Sequence, residues 1–127
     1  MPEPLVPHRG SRYRQTTTVD VKSGGAMFFV DQLMPGRVGH GEAWRWDRLR
    51  LELTVRVDGA LVLRERLDQS GEELHALARL AGSGSAACFA NAVLIAPAGA
   101  VGAKPPWGAE LRALHRDGLW LGTSALR

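Results

Sequence analysis

The chain has 127 residues, with 16 Lys and Arg against 13 Asp and Glu and a formal net charge of +3. That length holds one ordinary domain, residues 1–127, and excludes a second independent core. Hydrophobic residues at 45% and charged residues at 23% match a soluble globular chain and exclude both a disordered tail and a membrane protein.

The first fifteen residues carry Pro2, Pro4, Pro7 and Gly10 and show no period, so they read as an extended lead-in. The β-branched string Thr16-Thr17-Thr18-Val19-Asp20-Val21 predicts a strand. Ser23-Gly24-Gly25 then supplies a turn, and Ala26 to Met34 returns as the second strand of a hairpin. Pro35 to Glu42 contains one Pro and three Gly, which marks a loop. Leu49, Leu51, Leu53, Val55 and Val57 alternate with Arg48, Arg50, Glu52, Thr54 and Arg56, the two-residue period of a strand with one buried face. Asp58-Gly59 signals a type I′ turn, and Ala60 to Leu67 is the partner strand. Ser70 and Glu73 form a capping box. Leu74, Leu77, Ala78 and Ala81 follow at helical spacing, predicting a helix over 71–81 that Gly82 stops. Cys88 to Ala96 reads as a buried strand, with a helix left open by its alanines. A second short helix is predicted over 107–116 and a last strand from Leu119 to Leu126.

The longest apolar run, 86–103, is interrupted by Asn91, Pro97 and two glycines and falls short of the roughly 20 strongly apolar residues of a membrane span. Met1-Pro2-Glu3-Pro4 lacks the basic start and apolar stretch of a signal peptide, so a cytoplasmic location is expected. Cys88 is the single cysteine, which excludes an internal disulfide, and no Cys or His pair has structural-zinc spacing. Flanked by Ala87 and Phe89, Cys88 reads as a small buried hydrophobe.

Gly82-Ser83-Gly84-Ser85-Ala86-Ala87 has the letters of a dinucleotide fingerprint, but that motif must follow a strand and open a helix. Here it follows a helix, so a helix-terminating turn is the better reading. His8, His40, His75 and His115 are scattered, and only His40 lies beside a carboxylate, Glu42, in the Gly-rich loop. A metal there needs further ligands such as Asp31 or Cys88 brought in by the fold. No nucleophile elbow or triad spacing is present, so no catalytic residue is assigned. Arg45, Arg48, Arg50, Arg56, Arg64 and Arg66 with Trp44 and Trp46 offer a basic, aromatic sheet face for single-stranded nucleic acid. Asp47, Glu52, Asp58 and Glu65 are interleaved with them, as in a solvated face held by cross-strand ion pairs. The solvated face is the favoured reading, and a basic β-rich nucleic-acid-binding module is the alternative.

An ordered set of strings runs through the chain: Pro2-Glu3-Pro4-Leu5-Val6-Pro7, Gly10-Ser11-Arg12-Tyr13-Arg14-Gln15-Thr16, Asp31-Gln32-Leu33-Met34-Pro35-Gly36-Arg37 and Gly41-Glu42-Ala43-Trp44. Asp58 to Leu67 and Gly118-Leu119-Trp120-Leu121-Gly122 follow. Together they resemble the urease accessory protein UreD family, called UreH in some bacteria. The resemblance implies a mainly β fold of stacked, β-helix-like sheets with about two short helices, matching those predicted near 71–81 and 107–116. It also implies a scaffold or chaperone rather than an enzyme, with no tightly bound cofactor. Such a scaffold binds UreF, reaches UreG through UreF, and docks on urease apoprotein to pass on nickel transiently.

Under that resemblance, Asp31, His40 and Glu42 become candidates for a transient nickel path, while Tyr13, Arg37, Glu42 and Trp44 become partner-binding or loop-fixing residues. Arg37 and Glu42 either pair to fix the loop or line a polar path with Asp31 and His40. Family members are roughly twice as long, so the domain is expected to be incomplete on its N-terminal side. A β stack cut in this way exposes an unpaired edge strand, which predicts self-association.

Overall fold

The computed structural model describes residues 3–80, 87–97, 107–115 and 121–122. The chain is mainly β, with strands β1 (Arg12–Val21), β2 (Met27–Leu33), β3 (Arg48–Val57), β4 (Ala60–Gln69) and β5 (Phe89–Ile95). Two helices join them, α1 (Gly71–Leu80) and α2 (Trp107–Ala113). The Gly82-Ser83-Gly84 motif lies outside the described residues, as does most of the strand predicted over 119–126.

The strands form two open sheets. In the first, β3 is central, parallel to β1 from Arg12↔Arg48 to Val21↔Val57 and antiparallel to β4. In the second, β2 and β5 run antiparallel from Met27↔Ile95 to Leu33↔Phe89. Asp58 and Gly59 both take positive φ, +48° and +81°, the requirement of the I′ turn that joins β3 to β4.

The hairpin expected of β1 and β2 does not form. The turn is there, with the Gly25 N–H donating to the Lys22 carbonyl at 2.8 Å, but the two strands part into different sheets. Asp58 decides this, because its N–H donates to the Val21 carbonyl at 3.0 Å and its carboxylate accepts from the Ser23 N–H at 3.0 Å. The end of β1 is thereby pinned beside the β3–β4 turn. Val19 and Val21 at the end of β1 and Met27 and Phe29 at the start of β2 then enter the same apolar cluster from different sheets.

Between the sheets lies an apolar cluster of Val21, Leu53, Val55 and Val93, flanked by Met27, Phe29, Leu63 and Ile95. A second cluster, Leu33, Trp44, Trp46, Leu49, Leu74 and Ala78, closes one end beneath α1. That helix starts at the capping box: the Glu73 N–H donates to Ser70 Oγ at 3.2 Å and the Ser70 N–H donates to Glu73 Oε2 at 2.6 Å. Leu74 and Ala78 are buried four residues apart, whereas Leu77 faces solvent. Gly71 lies against the backbone of Trp44, where a Cβ would overlap the Trp44 carbonyl and sit 3.0 Å from its Cα.

Two burial expectations are corrected. In β5 only Val93 is buried, because among the described strands it pairs with β2 alone. Cys88, just before β5, is exposed rather than a core hydrophobe.

Candidate functional site: the inter-sheet groove and the Gly-rich loop

The Pro35 to Trp44 segment is a packed loop. Pro35 is fully buried, and Gly36, at φ +103°, leaves no room for a side chain: a Cβ would meet the Pro7 carbonyl oxygen at 2.9 Å and that of Glu42 at 3.0 Å. A single 3-10 turn, Val38–His40, ends at Gly41, whose left-handed backbone lets its N–H donate to the Val38 carbonyl. The base of the loop is closed by the Trp44 N–H donating to the Pro35 carbonyl at 2.6 Å.

Arg37 makes a two-pronged contact with Glu42, Nε to Oε2 at 2.9 Å and Nη2 to Oε1 at 2.8 Å. Paired N–H donors of this kind match the planar carboxylate. The Arg9 N–H also donates to Glu42, at 3.4 Å. The Arg37 hydrogen bond is the main reason the Glu42 carboxyl is held below its ordinary value. His40 is exposed. Trp44 is buried, stacked on His75 with ring centroids 5.4 Å apart, and edge-on to Phe89. Its place is in packing the loop onto α1.

Asp31 sits elsewhere. It is on the inner side of β2, in a groove of about 520 Å³ between the two sheets, which Tyr13, Gln15, Glu65 and Asn91 also line. Asn91 is the register partner of Asp31 on β5, and its side-chain amide donates to the Glu65 carboxylate from the opposite sheet. Burial, and then the charge of Glu65, push the Asp31 carboxyl up from its ordinary value. Tyr13 is partly exposed and donates its hydroxyl to Gln15 Oε1 at 2.9 Å.

Asp31, His40 and Glu42 therefore do not converge. Among the described residues, no three His, Cys, Asp or Glu side chains come together as a metal site. The groove instead pairs Asp31 with Glu65, a residue the sequence reading placed on the solvated face. Its parity gives it away: Glu65 lies midway between the inward Leu63 and Leu67 and opposite Leu53.

On the outer face of the first sheet, Glu52 accepts from Arg66 at 2.5 and 2.6 Å and lies 3.5 Å from Arg50. Asp68 takes Arg48 at 2.6 Å. These are the cross-strand ion pairs of a solvated face. Asp58 is not among them, being held by Ser23. Trp44 and Trp46 are both buried, so neither offers a ring on which a nucleic-acid base could stack. No helix among the described residues is long and apolar enough to cross a membrane.

Comparison with known proteins places these features in a family. The profile of the UreD urease accessory protein matches residues 1–127. Over all 127 residues the chain is 65% identical to the urease accessory protein UreD of Opitutus terrae, covering 46% of that protein's length. It is 32% identical over 105 residues to the UreD of Anaeromyxobacter sp., covering 82% of this chain and 34% of the relative. It is 35% identical over 106 residues to the UreD of Sorangium cellulosum, covering 76% of this chain and 34% of the relative. The chain thus spans less than half the length of these curated relatives, and the match extends along all of it. It belongs to the UreD family of urease accessory proteins.

Proposed function

We propose that this chain is a scaffold in the maturation of urease, binding UreF, engaging UreG through UreF, and docking on urease apoprotein while nickel is delivered. Membership in the UreD family supports the role. The observation that carries the local mechanism is the facing pair Asp31 and Glu65 inside the inter-sheet groove. Two carboxylates fall short of a divalent transition metal's coordination sphere. They attract hydrated nickel without stripping its water, so the ion is cargo that passes on. Asn91 holds Glu65 in place and leaves the oxygens of Asp31 to the groove. Glu42 is already engaged by Arg37 and Arg9, which fits a loop-fixing role better than an ion path. No step requires a catalytic residue, and no cofactor is held tightly.

The test is co-purification of this chain with UreF and urease apoprotein, beside the full-length Opitutus relative as control. Retention by both supports the scaffold reading, and loss of a folded chain refutes it. A D31N/E65Q variant separates binding from delivery: it is expected to stay in the complex but to activate urease more slowly at limiting nickel. Unchanged activation would remove the groove from the mechanism.

A further inference from the structure

The outer face of the first sheet is not uniformly paired. Opposite charges meet at Asp20↔Arg56, Glu52↔Arg66 and Arg50↔Asp68. At one corner the parallel register does the reverse, setting Arg12 beside Arg48 and Arg14 beside Arg50. Like charges directly opposite each other on a sheet are destabilising. The four arginines surround a shallow hollow of about 300 Å³ that Tyr13 and Asp68 also line.

The two members on β3 are engaged, Arg48 with Asp68 and Glu73, and Arg50 with Glu52 and Asp68. The two on the edge strand are held less: Arg14 is 66% exposed and makes one loose ion pair, 3.8 Å from Glu52, and Arg12 has no acidic partner among the described residues. Nε of Arg50 is buried without a hydrogen-bond partner among the described residues.

We infer that this corner is a docking surface for an acidic segment of a partner protein. Guanidinium groups bind carboxylates in two-pronged fashion. Arg12 and Arg14 are two residues apart on one strand, a spacing of roughly 6.6 Å. Acidic side chains at alternate positions of an extended peptide repeat at the same spacing and meet both in register. A nucleic-acid strand fits less well. The neighbouring tryptophans are buried, which withholds the stacking that single strands rely on, and Glu52 and Asp68 stand where a continuous phosphate chain would pass.

The probe is a fluorescein-labelled alternating Glu-Thr peptide of roughly ten residues, titrated by anisotropy at about 50 mM salt, where exposed charges are little screened. An oligo-dT of equal charge runs in parallel. Saturable peptide binding that weakens with salt is expected. Arg12→Gln with Arg14→Gln reduces affinity about tenfold, the scale of one or two lost charge-assisted hydrogen bonds. The charge-matched pair Arg64→Gln with Arg79→Gln changes it less than about twofold. Because R12Q/R14Q removes two like-charge contacts and only one loose, exposed ion pair, its melting temperature should stay within about 2 °C of the parent's or exceed it, which separates lost binding from lost folding. Equal weakening by the two double variants, no saturable peptide binding by the parent, or tighter binding of the oligonucleotide would overturn the inference.

Discussion

Gly71→Ala gives the sharpest test of how α1 is docked, because two rules predict opposite signs. On helix propensity alone, Ala is better than Gly by about 1 kcal/mol. Gly71 has no positive φ that would demand glycine, so the backbone raises no objection. The objection is steric: a Cβ there overlaps the carbonyl of Trp44. Trp44 cannot yield easily, since its N–H is bonded to the Pro35 carbonyl and its ring is packed among His75, Trp46 and Phe89. The helix has to move instead, which loosens Leu74 and Ala78 in the core and the bond from the Gly71 N–H to the Trp46 carbonyl. Overpacking of this kind costs about 1 to 3 kcal/mol, and more when backbone is the obstacle. A net loss of about 2 to 3 kcal/mol is expected after the propensity gain. At this chain length that is a fall in melting temperature of roughly 10 °C, or about 1 M in urea midpoint, read by circular dichroism. A melting temperature equal to or above the parent's would refute the close approach of Gly71 to Trp44.

The remaining predictions concern charge, the thiol and assembly. Glu42 has a folded value held below its ordinary 4.5, so its contribution to stability is present above 4.5 and is lost as pH falls through the lowered value. Glu42→Gln should therefore melt lower than the parent at pH 7, with the gap closing in acid; a pH-independent gap would contradict the Arg37 pairing. Asp31 has the opposite sign. Its folded value lies above the ordinary 3.8, so stability falls as pH rises through that window and the penalty is larger at pH 7 than in acid. Asp31→Asn should melt higher than the parent at pH 7 and equal to it below 3.8; a lower melting temperature at neutral pH would show that the ionised carboxylate has a stabilising partner. Cys88 should react with one equivalent of a thiol reagent in the native protein, and protection until unfolding would count against its exposure. Among the described residues β1, β4 and β5 each keep an unpaired edge, while Leu5 bridges part of the edge of β2; these edges predict self-association at micromolar concentration, and a monodisperse monomer in sedimentation would refute it.

The parts of the fold legible in the sequence are those that local chemistry decides. The period of β3, the Asp58-Gly59 turn and the Ser70 to Glu73 box each rest on residues within a few positions of one another, and all three appear as expected. What could not be read was pairing at a distance. Nothing local to Ser23-Gly24-Gly25 shows that Asp58, 35 residues on, will hold Ser23 and send β2 into the other sheet. β5 forms where the sequence predicts it, but its burial and that of Cys88 differ, because composition reports how apolar a strand is and not how many neighbours it has. The same limit hid half of the groove. Asp31 was singled out from its motif, but its partner Glu65 was hidden within a run of charges and belongs to the inner face only by strand parity.

That inner placement separates the groove from ordinary surface polarity. Asp31 and Glu65 lie on the inner faces of two sheets whose other inward residues are largely apolar, Met27, Phe29 and Leu33 on β2 and Leu63 and Leu67 on β4. Apolar residues at these two sites would join the two core clusters, and burying apolar surface is the dominant favourable term in folding. A carboxylate there does the opposite, since burial and then the charge of Glu65 make Asp31 costlier to ionise. A sheet edge can use an inward charge to discourage wrong pairing, which accounts for Glu65 on the edge strand β4 by itself. It does not account for a second carboxylate facing it from β2, where the repulsion between the two is a cost to the fold. A cation between the two would offset that repulsion, and this is why the nickel path proposed above runs through the groove rather than the Gly-rich loop.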